Sequence, residues 1–353
     1  MWPSTLTSLF GIPLPIVQAP MAGVSSSAMA AAASNAGALG SIGVGALDAP
    51  AARTMIRAVR AATPAAFNVN LFCHMPARRR PEVERAWIDR LQPEFHALGA
   101  SPPEQLTEIY RSFVVDDAML AMLVEERPPV ISFHFGLPDH QAIHALQQAG
   151  IVLIATATNL VEARAIERAG LDAIVAQGWE AGGHRGSFDP DAFDEALGTL
   201  PLTRLLAQES RLPVIAAGGM MDGAGIAAAL KLGAAGAQLG TAFVGCDESL
   251  ADPAYRKLLN EAPGTVMTRV ISGRPARCLM NRFTALGSGF RQQEVPDYPI
   301  AYDLGKALNA AAKARGVHGF GAQWAGQGAP LARALPVAAL VERLTRELRE
   351  ASK

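Results

Sequence analysis

Eight short apolar runs, each followed by a helical pattern, constrain this chain more than any other feature. They cover 16–21, 38–45, 67–72, 130–136, 151–158, 172–176, 213–219 and 237–241. Helical patterns fall between them at 25–36, 50–62, 138–149, 159–170 and 223–232; serines mark the start of the first, and Asn159 can cap the fourth. Hydrophobic residues make up 50% of the chain but aromatics only 6%, so the core is aliphatic, as suits parallel strands buried on both faces. Strand alternating with helix for eight rounds predicts an α/β fold, a (β/α)8 TIM barrel. A doubly wound sheet is the alternative. No GxGxxG follows the first strand with an acid about 20 residues on, so a dinucleotide fingerprint is not supported.

The rhythm breaks twice. Between 73 and 127, charged helical patterns at 81–98 and 115–126 exceed one crossover helix, and an insertion over the barrel mouth (about 74–128) is expected. Arg78, Arg79 and Arg80 stand before Pro81 as a solvated helix start. Residues 249–305 are rich in Pro, Gly and Arg with little strand periodicity. Val341, Leu344 and Leu348 give 336–352 an amphipathic helical spacing. The predicted division is a barrel at 1–246, a smaller, mostly helical substrate-covering segment at 247–310, and a helical segment at 311–353 packing back on the barrel.

Thirty-one basic against 32 acidic side chains leave a net charge of −1, with no electrostatic footprint for nucleic acid or an anionic membrane. Cys73, Cys246 and Cys278 are scattered and form no CxxC, which argues against a disulfide framework or zinc site. No basic and apolar leader opens the chain, and no uncharged apolar run reaches about 18 residues. A cytoplasmic protein, monomer or homodimer, is the expectation.

The chemistry concentrates in residues 176–186. An apolar strand ends at Ala176, and Gly178, Gly182, Gly183 and Gly186 then surround His184. Glycine lets a flat ligand lie against the backbone, and imidazole moves protons near neutral pH. Active sites of barrels form at the C-terminal ends of their strands. The alternative is a tight loop whose histidine is merely hydrogen-bonded. Gly218-Gly219 and Gly240-Thr241 end the last two strands, where backbone N–H groups commonly hold phosphate; otherwise they simply turn the chain. GxSxG, HExxH and P-loop patterns are absent. His140 and His144 lie four apart on a peripheral helix and read as a surface pair; no metal is expected.

Four phrases carry a resemblance. They are Gln18-Ala19-Pro20-Met21-Ala22-Gly23, Ser132-Phe133-His134-Phe135-Gly136, Ala155-Thr156-Ala157-Thr158-Asn159, and the run from Gln177 to Gly186. In that order they resemble the motif set of class I nitronate monooxygenases, formerly 2-nitropropane dioxygenases. The resemblance covers most of the chain and implies a two-domain FMN-dependent barrel that detoxifies alkyl nitronates, of the propionate 3-nitronate type, using O2. The products are a carbonyl compound and nitrite. By position it implies FMN contacts at Asn70, Gln177, Gly182, Gly219, Gln238, Leu239, Gly240 and Thr241. Gly183 and Gly218 belong to the same glycine-rich ends, and Met21, Ala22 and Gly23 would let the flavin ring approach the backbone. Asn70 has the alternative of a satisfied buried amide.

A nitronate is already a carbanion equivalent, so it needs no strong base. His184 is expected to steady the anion or to take the α-proton of a neutral nitroalkane. Tyr110, Tyr298, Tyr302 and Lys306 are candidates for binding a carboxylate-bearing nitronate; Tyr302 and Lys306 would share a helix face. The family pattern places His134 in the pocket too, with a core histidine as the alternative. An NAD(P)H-dependent enoyl or quinone reductase on the same barrel and a flavin-storing protein without turnover remain as rival functions.

Overall fold

The computed structural model describes residues 5–353. Its strands are β1 (Ile16–Gln18), β2 (Gly40–Gly43), β3 (Phe67–Phe72), β4 (Val130–His134), β5 (Val152–Ala157), β6 (Ala173–Gln177), β7 (Gly183–His184), β8 (Val214–Ala217), β9 (Gly236–Leu239), β10 (Thr265–Thr268) and β11 (Ala276–Leu279). Among the described residues, eight of these pair in parallel in the order β1-β9-β8-β6-β5-β4-β3-β2. A parallel bridge from Val17 to Leu39 joins the two ends, with Gln18 N donating to Leu39 O and Leu39 N to Ile16 O, both at 2.9 Å. The sheet thus closes into the TIM barrel.

Alternation along the strands builds two apolar layers. Val17, Leu39, Val130, Ile154, Val175 and Ile215 fill the barrel, and Leu6, Phe10 and Ile12 plug its N-terminal end. The helix Thr5–Phe10, which carries that plug, has no counterpart in the sequence reading. Ile42, Ile131, Phe133, Leu153 and Ile174 face outward, against Ile56, Val59, Leu123, Ile143 and Ile166 of the surrounding helices. Those helices start where side chains accept the first free N–H groups: Asp139 caps at Ala142, Asn159 at Glu162 and Asp222 at Gly225.

The expected insertion resolves into two parts with different loyalties. The helix Asp117–Glu126 packs in the barrel's outer layer, where Glu126 receives Arg53, Arg57 and Arg60 at 2.7–3.0 Å. The helix Pro81–Ala97 instead buries Trp87, Leu91 and Phe95 against Ile300, Leu304 and Leu308 of the helix Ile300–Ala314. That second helix runs through position 310, where the sequence reading divided the chain.

The region at 249–305 is also more regular than its composition predicts. β10 and β11 form an antiparallel hairpin, and β11 pairs in turn with β7, Ala276 opposite His184. The cover is therefore a small sheet with helices. The arginine run stands at the start of the inserted helix, with Arg78 and Arg79 exposed as expected. Arg78 and Arg80 also pair with Asp297 at 2.8 Å, tying that helix to the cover, and Arg79 pairs with Glu84 at 2.7 Å. The helix Val337–Ala351 lays Leu340, Val341, Leu344 and Leu348 against Met29, Ala33 and Ile226 of the barrel helices.

Gly40 shows how close strand and helix come. A Cβ there would lie 1.9 Å from the Ala30 carbonyl oxygen. Gly40→Ala is expected to cost about 1–3 kcal/mol, the range for overpacking a filled core, read as a lowered urea midpoint with an unchanged slope. An unchanged midpoint would mean that the contact relaxes freely.

Candidate active site

The C-terminal ends of β1, β8 and β9 form a half-exposed rim above the buried barrel. Met21, Gly218, Gly219, Gln238, Gly240 and Thr241 are half-buried, Ala22 and Gly23 are exposed, and Leu239 is buried beneath them. Gly240 faces Ala19 and Met21, so the first and last strands meet there. Gly219 has φ +70°, and a Cβ would press on Glu180 at 3.1 Å; only glycine takes that conformation freely. An open rim of backbone at strand ends suits a phosphate-bearing planar cofactor.

Asn70 and Gln177 both sit beside this rim, buried, with their amides engaged. Asn70 donates to the Ser132 hydroxyl at 2.8 Å and carbonyl at 3.1 Å. Gln177 Nε2 donates to the His184 carbonyl at 3.0 Å, and its Oε1 accepts from Gly186 N at 2.7 Å. One residue at the end of a barrel strand thus braces both sides of the histidine loop. Gly182 lies against Ala325 and Gly326, and Gly183 turns the chain at φ +75° into β7. Sequence reasoning missed the polar layer below: Gln18, Ser41 and Asn68 join Ser132 through hydrogen bonds of 2.8–3.3 Å.

His184 Nε2 lies 2.9 Å from Ser272 Oγ. The Arg274 carbonyl lies 3.3 Å from the same hydroxyl; with the Ser272 proton directed there, Ser272 accepts from His184, the tautomer that puts the ring proton on Nε2 and leaves Nδ1 unprotonated. Around the ring stand Trp324 at 5.1 Å, Tyr298 at 5.3 Å, Phe135 at 5.5 Å and Tyr302 at 6.2 Å between centroids. Burial pushes the imidazole well below its usual 6.5, and the nearby His134 and Arg274 push it the same way. It is neutral at physiological pH.

Tyr110, Tyr298 and Tyr302 do converge on one cluster, 5.9–6.3 Å apart. Lys306 completes it from the exposed side, its Nζ 4.9 Å from the Tyr110 ring centroid. His134 differs from the expectation of a substrate contact. A carbonyl can only accept, so His134 Nε2 donates to His184 O at 3.2 Å, and Nδ1 accepts from Thr156 Oγ1 at 3.1 Å. Both nitrogens are taken, which makes His134 a support for the loop. His140 and His144 are exposed on the outer helix, and no metal-holding group of side chains occurs among the described residues.

Phe135, His74, Ser272 and Arg274 were not foreseen. Phe135 has φ +76°, a left-handed conformation that costs a phenylalanine about 1–2 kcal/mol. Its ring touches His134 at 4.5 Å, Phe72 at 5.1 Å and Tyr298 at 5.5 Å. The SFHFG phrase was the one available signal; the other three lie in segments where only the fold brings them together.

The chain matches the family model described as nitronate monooxygenase over residues 3–347. It is 61% identical to a nitronate monooxygenase of Paraburkholderia phytofirmans, covering 98% of this chain and 95% of that one. It is 55% identical to one of Pseudomonas aeruginosa, covering 97% and 98%. Among solved structures, a nitroalkane oxidase from Streptomyces ansochromogenes superposes with a TM-score of 0.89 at 41% identity, covering 99% of both chains. FabK from Thermotoga maritima gives 0.73 at 28%, covering 99% and 97%.

The histidines make stability pH-dependent. His74 is 1% exposed, and burial, with Arg274 nearby, lowers it from 6.5 to about 4. The fold favours its neutral form, so its contribution is complete above about pH 6.5. Below that the unfolded chain takes up the proton and the folded chain does not, and stability is lost until about pH 4. The expected loss is ~1.4 kcal/mol per pH unit. His74→Phe should make the fall in urea-unfolding free energy between about pH 6.5 and 5 shallower by roughly 2 kcal/mol. Parallel profiles for the two proteins would show that His74 is not held neutral.

Proposed function

The chain belongs to the nitronate monooxygenase family, a family of oxidoreductases, and on that premise we propose that it oxidises alkyl nitronates, of the propionate 3-nitronate type, with FMN and O2. The products are the carbonyl compound and nitrite. One observation carries the reading: a neutral imidazole, His184, fixed over the barrel mouth beside the half-exposed strand ends and against Tyr298 and Tyr302.

The residues fit the cofactor. The rim of Met21, Ala22 and Gly23 with Gly218, Gly219, Gln238, Leu239, Gly240 and Thr241 would hold FMN, the late glycines at its phosphate. Gly182, Gly183, Asn70 and Gln177 would border the ring system or its chain. FMN would take electrons from the nitronate and hand them to O2.

The chain's own duties are positional and electrostatic. His184 is the catalytic residue of this proposal. Ser272 holds its Nε2 proton, so Nδ1 can take the α-proton of a neutral nitroalkane. Facing a nitronate, which has no such proton to lose, the ring steadies the anion. Tyr110, Tyr298 and Tyr302 would bind the substrate, Lys306 the carboxylate of a carboxylate-bearing one, and the cover would exclude water. In this reading the chain divides into the barrel, the cover to the end of helix Ile300–Ala314, and the C-terminal helix. No helix among the described residues is long and apolar enough to cross a membrane; a cytoplasmic monomer or homodimer is the proposed form.

The test is direct. The purified protein should be yellow and should release nitrite while consuming oxygen with propionate 3-nitronate. His184→Asn should lower kcat/KM for neutral nitroethane by about 10²–10⁴-fold, the usual worth of a positioned base, with a smaller loss for the nitronate. Unchanged rates on both substrates would refute the role of His184. Rapid bleaching by NADH without oxygen, and no nitrite, would favour a reductase instead.

A further inference from the structure

Arg274 is 3% exposed and makes no ion pair among the described residues. Its Nη2 donates to the Ser187 carbonyl and, at 3.4 Å, to that of Phe188, while its buried Nε has no hydrogen-bond partner. Its guanidinium lies 4.3 Å from the centroid of Phe135, the ring at the heart of the aromatic cluster. Glu162 and Asp189 are close enough to act on it electrostatically. Glu162, however, is engaged with Thr158 and Phe188, and Asp189 with Asp191 N. Burial lowers Arg274 only to about 10, so it stays charged.

A buried cation without a counter-ion is costly, by several kcal/mol in general. One neighbour shares its condition: the Tyr298 hydroxyl is buried without a partner. The His74 ring, which the Tyr110 backbone meets, lies 4.9 Å from that of Tyr298. An orphaned hydroxyl beside an unpaired guanidinium describes an anion site. Lys306 stands on the other, exposed side of the tyrosines. The mouth thus has an inner and an outer cation.

We propose that Arg274, with the Tyr298 hydroxyl, is the counter-charge for the nitronate group itself, and that Lys306 serves only a second, carboxylate charge on the substrate. The inference rests on the functional reading above and names the residue that selects the anionic substrate over the neutral nitroalkane.

The experiment compares three substrates: propionate 3-nitronate, ethyl nitronate and neutral nitroethane. Arg274→Met should raise KM for both nitronates by about 30-fold or more, the usual effect of removing one member of a buried charge pair. Arg274→Lys should recover part of this, and KM for nitroethane should change little. Lys306→Met should raise KM for propionate 3-nitronate alone. If Arg274→Met lowers turnover of all three substrates equally, or leaves the nitronates unchanged, the proposal fails. Arg274→Gln, which keeps a donor for the Ser187 carbonyl, carries the same comparison should the methionine variant not fold. In the unaltered protein, nitrate, a planar anion, should compete with ethyl nitronate and raise the melting temperature. Absence of competition overturns the proposal whatever the variants do. A protein that releases no nitrite from any nitronate fails the functional reading first, and that outcome is separate from these.

Discussion

The site depends on one segment being held from two sides. From below, the Gln177 amide at the end of β6 clamps the carbonyl of His184 and the N–H of Gly186. From above, β7 is the edge of the cover's sheet, and Arg185 N donates to the Pro275 carbonyl at 2.8 Å. Neither layer alone fixes the ring. The barrel supplies depth and the strand ends; the cover supplies Ser272 and the tyrosines. A histidine at such a seam is held in one rotamer because its backbone carbonyl is tied to the barrel, and its following N–H and its Nε2 to the cover.

Electrostatics follow from this burial. Desolvation is the leading reason that His74, His134 and His184 are all held below the usual imidazole range, and Arg274 acts on each in the same direction. Three neutral imidazoles and one guanidinium give the mouth a single inner positive charge. An enzyme for anions gains by this, since protonating the histidines would bind the anion more tightly while removing the base. The Ser272 bond and the burial act together to keep Nδ1 unprotonated.

The barrel was legible because its signal is local. Apolar runs, caps and helix periods each depend on near neighbours, so the eight strands and the glycine-rich mouth could be read directly. The convergence of Tyr110, Tyr298, Tyr302 and Lys306 followed from the resemblance and their place in segments expected over the mouth. What escaped was non-local. β7 is two residues long and has no period to read. β10 and β11 hide in a Pro-, Gly- and Arg-rich stretch because Arg277 and Cys278 are buried by partners distant in sequence. Arg274 looks like a surface charge until the cover folds over it. The fate of the insertion could not be read either, since Trp87 and Phe95 mark an apolar face without saying which layer it meets.

Phe135 shows why the strain sits where it does. A strand that ended normally at His134 would carry the next side chain outward, away from the mouth. The left-handed turn at Phe135, followed by Gly136 at φ +143°, swings the ring inward between Arg274 and the histidines. Glycine at 135 would remove the strain but leave a void among His74, His134, His184 and Tyr298. The cation would also lose the aromatic face that shields it, worth about 0.5–2 kcal/mol. The strained phenylalanine is thus the wedge that keeps the inner charge and the imidazoles at fixed separations, and only the surrounding packing makes its backbone tolerable.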